Sequence, residues 1–146
     1  MVSKADYAIV PYTSQHSRAL GQVFGSPKER DVYETSGPGF TLLYQGKVIA
    51  SAGVILLWSG VGDGWACLGP DVRRHLRAIQ FYTHRGLSMV CREHKLRRLQ
   101  ALVVKDFEAA CRWAKSLGFR VESEMPLAGP NGETLIRFVH FPQGEA

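Results

Sequence analysis

The sequence predicts one α/β domain built on a mixed sheet, and three observations lead there. The chain has 146 residues, 45% hydrophobic and 21% charged, which suits one continuous core without fibrous or disordered bias. Strand-period and helix-period segments alternate in the order β-α-α-β-β-β-α-β-α-β-β. At the centre lie a strand at 65–68, a helix at 73–94 and a strand at 99–104, the crossover that joins parallel neighbours.

Taken in order, Tyr7-Ala8-Ile9-Val10 is a first strand closed by Pro11. Thr13 or Ser14 caps a helix through Leu20, Val23 and Phe24 to Gly25. Ser26-Pro27 then restarts a helix to about Glu34, because proline at the first helical position gives up only an amide that would be orphaned anyway. Phe40 to Gln45 and Lys47 to Trp58 form an antiparallel hairpin about Gln45-Gly46. Gly62-Asp63-Gly64 is expected to punctuate, with Trp65 to Leu68 as a short strand beyond it.

In the segment 73–94, Leu76, Ile79, Thr83, Leu87 and Val90 recur at steps of three or four, the period of a buried helix face. Gly86 interrupts it, at a cost of about 1 kcal/mol relative to alanine. After a buried strand at Leu99 to Val104, a helix is expected from Asp106 to Leu117. Phe107, Ala110, Cys111, Ala114 and Leu117 form its apolar stripe, Asp106 its cap and Gly118 its left-handed exit. Arg120 to Leu127 and Glu133 to Phe141 close the chain as two strands joined by Gly129-Pro130-Asn131-Gly132.

Two stretches, within this element order, resemble the GNAT superfamily of N-acetyltransferases over nearly the whole chain. Residues 99–119 read LQALVVKDFEAACRWAKSLGF. They are similar to the family's strand–helix unit, with Leu102, Asp106, Ala109, Trp113, Gly118 and Phe119 at the patterned positions. The turn Gly69-Pro70-Asp71-Val72-Arg73-Arg74-His75-Leu76-Arg77-Ala78 resembles the family's pyrophosphate loop, whose amides face an anion. Arg73 and Ala78 fit that loop, while Leu76 stands where glycine is usual. Trp113 stands where a tyrosine often serves as acid, and an indole N–H donates a hydrogen bond without releasing a proton near neutral pH.

The resemblance implies a single-domain acyl-CoA N-acyltransferase fold spanning 1–146, with acetyl-CoA as substrate beside an amine of a protein or small molecule. Acetyl-CoA would lie between the strands at 65–68 and 99–104, which splay in this family. Its binding residues would be Leu68, Arg73, Arg74, His75, Leu76, Arg77, Ala78, Asp106 and Trp113. Leu76 would be tolerated there with its side chain turned into the core. Asp63, Glu34 and Glu122 are the candidate general bases, each near an expected strand end. The style of the chain also resembles short phage-encoded GNAT-like proteins, which implies an alternative: a scaffold without catalysis that binds a host protein or enters the virion.

Composition narrows the remaining classes. The formal charge of +5 favours anionic partners, and residues 73–98 hold eight Lys or Arg against Glu93 alone. Arg73, Arg74 and Arg77 are the candidates for a phosphorylated ligand. Without a recognition motif or an aromatic ladder, nucleic acid is not an expected partner. No apolar run reaches the ~20 residues of a membrane span, and no apolar block follows Lys4, so neither membrane nor signal peptide is expected. Cys67, Cys91 and Cys111 are odd in number and lie in apolar stretches, as core thiols of a reducing cytoplasm would. Cys91 and His94 lack a second ligand pair, so no metal is expected. Trp58, Trp65 and Trp113 are expected as core or cleft walls.

Overall fold

The computed structural model describes residues 6–20 and 32–144. Seven strands form one mixed sheet in the order β1-β2-β3-β4-β5-β7-β6. They are β1 Tyr7–Pro11, β2 Gly39–Tyr44, β3 Lys47–Trp58, β4 Val61–Leu68, β5 Arg98–Val104, β6 Arg120–Met125 and β7 Leu135–His140. Three helices accompany them: α1 Ser14–Ala19, α2 Leu76–Glu93 and α3 Glu108–Ser116. A 3-10 turn at Val72–His75 leads into α2, and residues 32–35 are helical. The expected helix through Val23 to Gly25, and the restart at Ser26-Pro27, lie outside the described residues. Pro11 ends the edge strand, where its missing N–H breaks no ladder.

Strand alternation divides the sheet into two unlike faces. On one face Val54, Leu99 and Phe138 pack with Leu87, Val90 and Cys91 of α2, Ala114 of α3 and Phe119, forming the main core. The helices α2 and α3 are bound to each other there: Gln80 Nε2 donates to the Ser116 carbonyl and Ser116 Oγ donates to Gln80 Oε1, each at 3.1 Å. On the opposite face α1 covers a buried row of small polar groups. Thr41, Ser51 and Cys67 lie side by side in register, Thr41 Oγ1 is 2.7 Å from His16 Nδ1, and Ser17 Oγ is 3.7 Å from Cys67 Sγ. Satisfying each hydroxyl in this way is what makes the burial tolerable.

Several expectations change once packing is visible. Gly62-Asp63-Gly64 does not punctuate; it lies inside β4, because the turn is made one step earlier at Ser59-Gly60, where Gly60 has φ +84°. Gly62 serves packing, since a Cβ there would run into Val54 and Leu96. Gly86 likewise faces the Phe40 ring, so its cost in helix propensity secures a close approach of α2 to the sheet. The last helix starts at Glu108, with Phe107 rather than Asp106 at its N-cap. Its predecessor residues are held in a turn instead, with Phe107 N donating to the Val104 carbonyl at 3.0 Å. Phe107 and Trp58 are not core residues: Phe107 is 60% and Trp58 67% exposed, the latter at the tip of the β3–β4 hairpin. Gly118 takes its expected left-handed exit at φ +101°.

Candidate functional site

The parallel strands β4 and β5 pair at only three positions, Val61 with Arg98, Gly62 with Leu99, and Asp63 with Gln100. Beyond that point each is held by its other neighbour. Residues up to Leu68 of β4 stay on β3, and Ala101 to Val104 of β5 stay on β7. The two strands therefore part, leaving a wedge whose backbone groups have no ladder partner and whose crotch is Asp63. The splay expected of strands 65–68 and 99–104 is present.

Asp63 alternates with Trp65 and Cys67, which puts its carboxylate on the α1 face of the sheet. On the same face stand Gln100 of β5 and Arg137 of β7, whose neighbours Leu99 and Phe138 point into the helix-covered core. Asp63 Oδ1, Arg137 Nε and Trp65 Nε1 are buried without a hydrogen-bond partner among the described residues. Burial raises the pKa of Asp63 above its ordinary value, partly opposed by the Arg137 charge. Trp65 is clamped by aromatic rings, edge-on to Tyr12 at 4.7 Å and stacked on Tyr33 at 4.5 Å.

The other two candidate bases are differently placed. Glu122 is gripped by both terminal nitrogens of Arg98, and those hydrogen bonds hold its pKa down. A carboxylate so stabilised is a poor proton acceptor. Glu34 is exposed, and its Oε2 accepts from the Ser14 amide at 2.9 Å. Of these three carboxylates Asp63 alone combines burial, a raised pKa and an oxygen unbonded among the described residues.

At the open end of the wedge, Leu68 closes β4 and the 3-10 turn feeds the N-terminus of α2. Arg73, Arg74 and Arg77 are exposed and make no ion pair within 4 Å with a described carboxylate. Nearby Asp71 is already taken by Lys47 at 2.7 Å, which lowers its pKa. His75 turns inward instead, its Nδ1 2.6 Å from the Tyr7 hydroxyl, so it can offer a ligand only its main chain. Leu76 corrects the expectation of an inward side chain: it is 59% exposed, because at the first turn of α2 the inward positions fall to His75 and Ile79. Ala78 and Trp113 both border the small cluster of Leu42, Ile49, Ala50 and Ile79, as does Leu68. Trp113 thus stands on the helix-covered side near the open end, whereas Asp106 is exposed in the turn before α3. A cavity of about 410 Å³ bordered by His84, Leu87, Cys91, Phe119 and His140 lies elsewhere, between α2 and the end of α3.

Sequence reasoning did not single out Arg137, Gln100, Tyr12 or Tyr33. Arg137 had a signal: an arginine centred in the otherwise apolar strand Leu135-Ile136-Arg137-Phe138-Val139. None of the three cysteines forms a disulfide with another described residue, and no cluster of described residues has the makings of a metal site. No helix among the described residues is long and apolar enough to cross a membrane.

No family model and no curated protein sequence matches the chain. Solved structures do. A point variant of the SpeG spermidine N-acetyltransferase from Vibrio cholerae superposes with a TM-score of 0.75 at 12% identity, covering 95% of each chain. The yncA protein from Salmonella typhimurium, solved with acetyl-CoA as its cofactor, gives 0.74 at 15% identity over 97% of this chain and 96% of its own. A GNAT-family acetyltransferase from Bacillus anthracis gives 0.74 at 11% identity over 98% and 99%. Matches this complete, at so low an identity, report architecture: the chain has the fold of the GNAT acetyltransferases.

Proposed function

We propose that the protein is an acetyl-CoA-dependent N-acetyltransferase acting on a primary amine. The observation that carries this is the wedge between β4 and β5, with a half-buried carboxylate at its crotch whose Oδ1 has no hydrogen-bond partner among the described residues. Acetyl-CoA supplies an activated acetyl thioester. Arg73, Arg74 and Arg77 offer guanidinium groups to its phosphates, and the main chain from Arg73 to Ala78 and at Leu68 offers amides and carbonyls to the rest. Trp113 contributes an apolar wall, and Asp106 stands exposed in the turn before α3.

Asp63 takes the proton that an ammonium must lose before its nitrogen can attack the thioester carbon. The C–N bond forms as the C–S bond breaks, the nitrogen gives up its second proton to solvent on becoming an amide, and the sulfur leaves as thiolate to be protonated from solvent. Neither Trp113 nor any described group need act as acid, since a CoA thiolate is a good leaving group and proximity supplies much of the rate.

Thermal melting with increasing acetyl-CoA tests binding. At ~100 times Kd the stabilisation is about 2.7 kcal/mol. Thiol release with amines then tests transfer. Leu76 and Trp113 favour a second reading, in which the fold is kept as an interaction scaffold for a host protein or a virion. Under that reading the melting temperature does not move with acetyl-CoA at any concentration.

A further inference from the structure

Asp63 and Arg137 carry opposite charges on one face of the sheet, close enough that the Arg137 charge acts on Asp63, and Asp63 Oδ1 and Arg137 Nε are buried without a hydrogen-bond partner among the described residues. The obvious competitor is occupied: Glu122 also feels Arg137, but both its oxygens are bonded to Arg98. Arg98 is further fixed by donating from Nε to Gln100 Oε1 at 3.0 Å, so the Arg98–Glu122 pair forms a closed unit beside the open one. A buried polar atom left unbonded is destabilising, and here an acceptor on one side and a donor on the other both stand unmet among the described residues.

From this we infer that the acceptor amine carries a carboxylate close to its nitrogen, as in a free α-amino acid. Its ammonium faces Asp63, its carboxylate faces the Arg137 guanidinium, and its side chain lies toward the Tyr12, Tyr33 and Trp65 rings. A zwitterion is the small ligand whose two charges complement both groups at once. A polycation would satisfy Asp63 while bringing further positive charge toward Arg137. The inference rests on the acetyl-transfer reading, and the product would be an N-acetyl amino acid with free CoA thiol.

The test uses the full chain with acetyl-CoA and follows thiol release for matched acceptors: L-leucine with isoamylamine and L-leucinamide, L-phenylalanine with phenethylamine, and spermidine. The carboxylate-bearing member of at least one set is expected to have a kcat/KM about 100-fold above its neutral partners. Arg137→Gln is expected to collapse that ratio through KM, and Arg137→Lys to restore part of it, with the acetyl-CoA melting shift reporting that each variant is folded. Preference for spermidine or the decarboxylated amines, or acetyl-CoA binding with no amino acid turned over, overturns the acceptor class while leaving the fold's cofactor role standing. Absence of any acetyl-CoA shift overturns the acetyl-transfer reading itself, and this inference with it.

Discussion

Asp63 on β4 and Gln100 on β5 are the last pair of residues at which these two strands stay in register. One step further the strands separate, so the carboxylate sits where sheet becomes cleft. The same position desolvates it and leaves its Oδ1 without a donor among the described residues.

Asp63→Asn should lower kcat about 10²- to 10⁴-fold, the usual worth of a positioned base, while the acetyl-CoA melting shift persists. Stability carries a second signature. The raised pKa means the native state holds its proton more tightly than the unfolded chain, so this group's contribution is greatest at low pH. It is lost as pH rises from the unfolded to the folded pKa. Melting curves across the acidic range should show that downward slope in the wild type and lack it in Asp63→Asn.

Glu122 should behave with the opposite sign. Its pKa is held down by Arg98, so its contribution is present above the unfolded pKa and fades as pH falls through the folded one. Solvent screens the pair, and Glu122→Gln should cost no more than about 1 kcal/mol in denaturant titrations. Turnover at neutral pH is expected to survive this change if Asp63, not Glu122, is the base.

Arg73, Arg74 and Arg77 are exposed and unpaired with described carboxylates, so replacing each with alanine should shift stability by less than about 0.5 kcal/mol. Acetyl-CoA affinity should fall about fivefold per arginine, near 1 kcal/mol each. The wild-type affinity should weaken with added salt, and the triple variant's should depend on salt far less. Isothermal titration at two ionic strengths reads both effects.

Leu76 projects into solvent beside the same turn, with ordinary helical backbone at φ −55°. If the turn takes a phosphate as proposed, this side chain, rather than any backbone demand, would crowd it. Leu76→Ala should therefore tighten acetyl-CoA binding with little change in melting temperature. An unchanged or weaker affinity would show that this residue does not border the cofactor.

Gly86→Ala should destabilise by about 1–3 kcal/mol despite alanine's better helix propensity, because the new methyl meets the Phe40 ring. Phe40→Leu should be milder alone and should relieve the clash in the double variant. That non-additivity, measured by chemical denaturation, identifies direct contact.

Much of the fold was legible in the chain because it is written locally. The β3 boundaries, the 76–93 helix face and the Gly118 exit follow from period and turn chemistry, which act over a few residues. Where local rules failed, packing had overruled them. Glycines at 62 and 64 read as a turn, yet Gly62 is a contact surface inside a strand. Leu76 read as a helix-face residue, yet the 3-10 turn before it rotates the inward positions onto His75 and Ile79.

The sequence by itself determined the order of elements, the crossover at the centre and the basic turn that follows β4. Only the tertiary structure decided that β4 and β5 part after Asp63, and that Arg137 shares its face, with Asp63 Oδ1 and Arg137 Nε unbonded among the described residues while Glu122 is claimed by Arg98. Those facts depend on strand order and register between segments far apart along the chain. A local pattern says which residues share a face, but pairing across the sheet decides which charges meet.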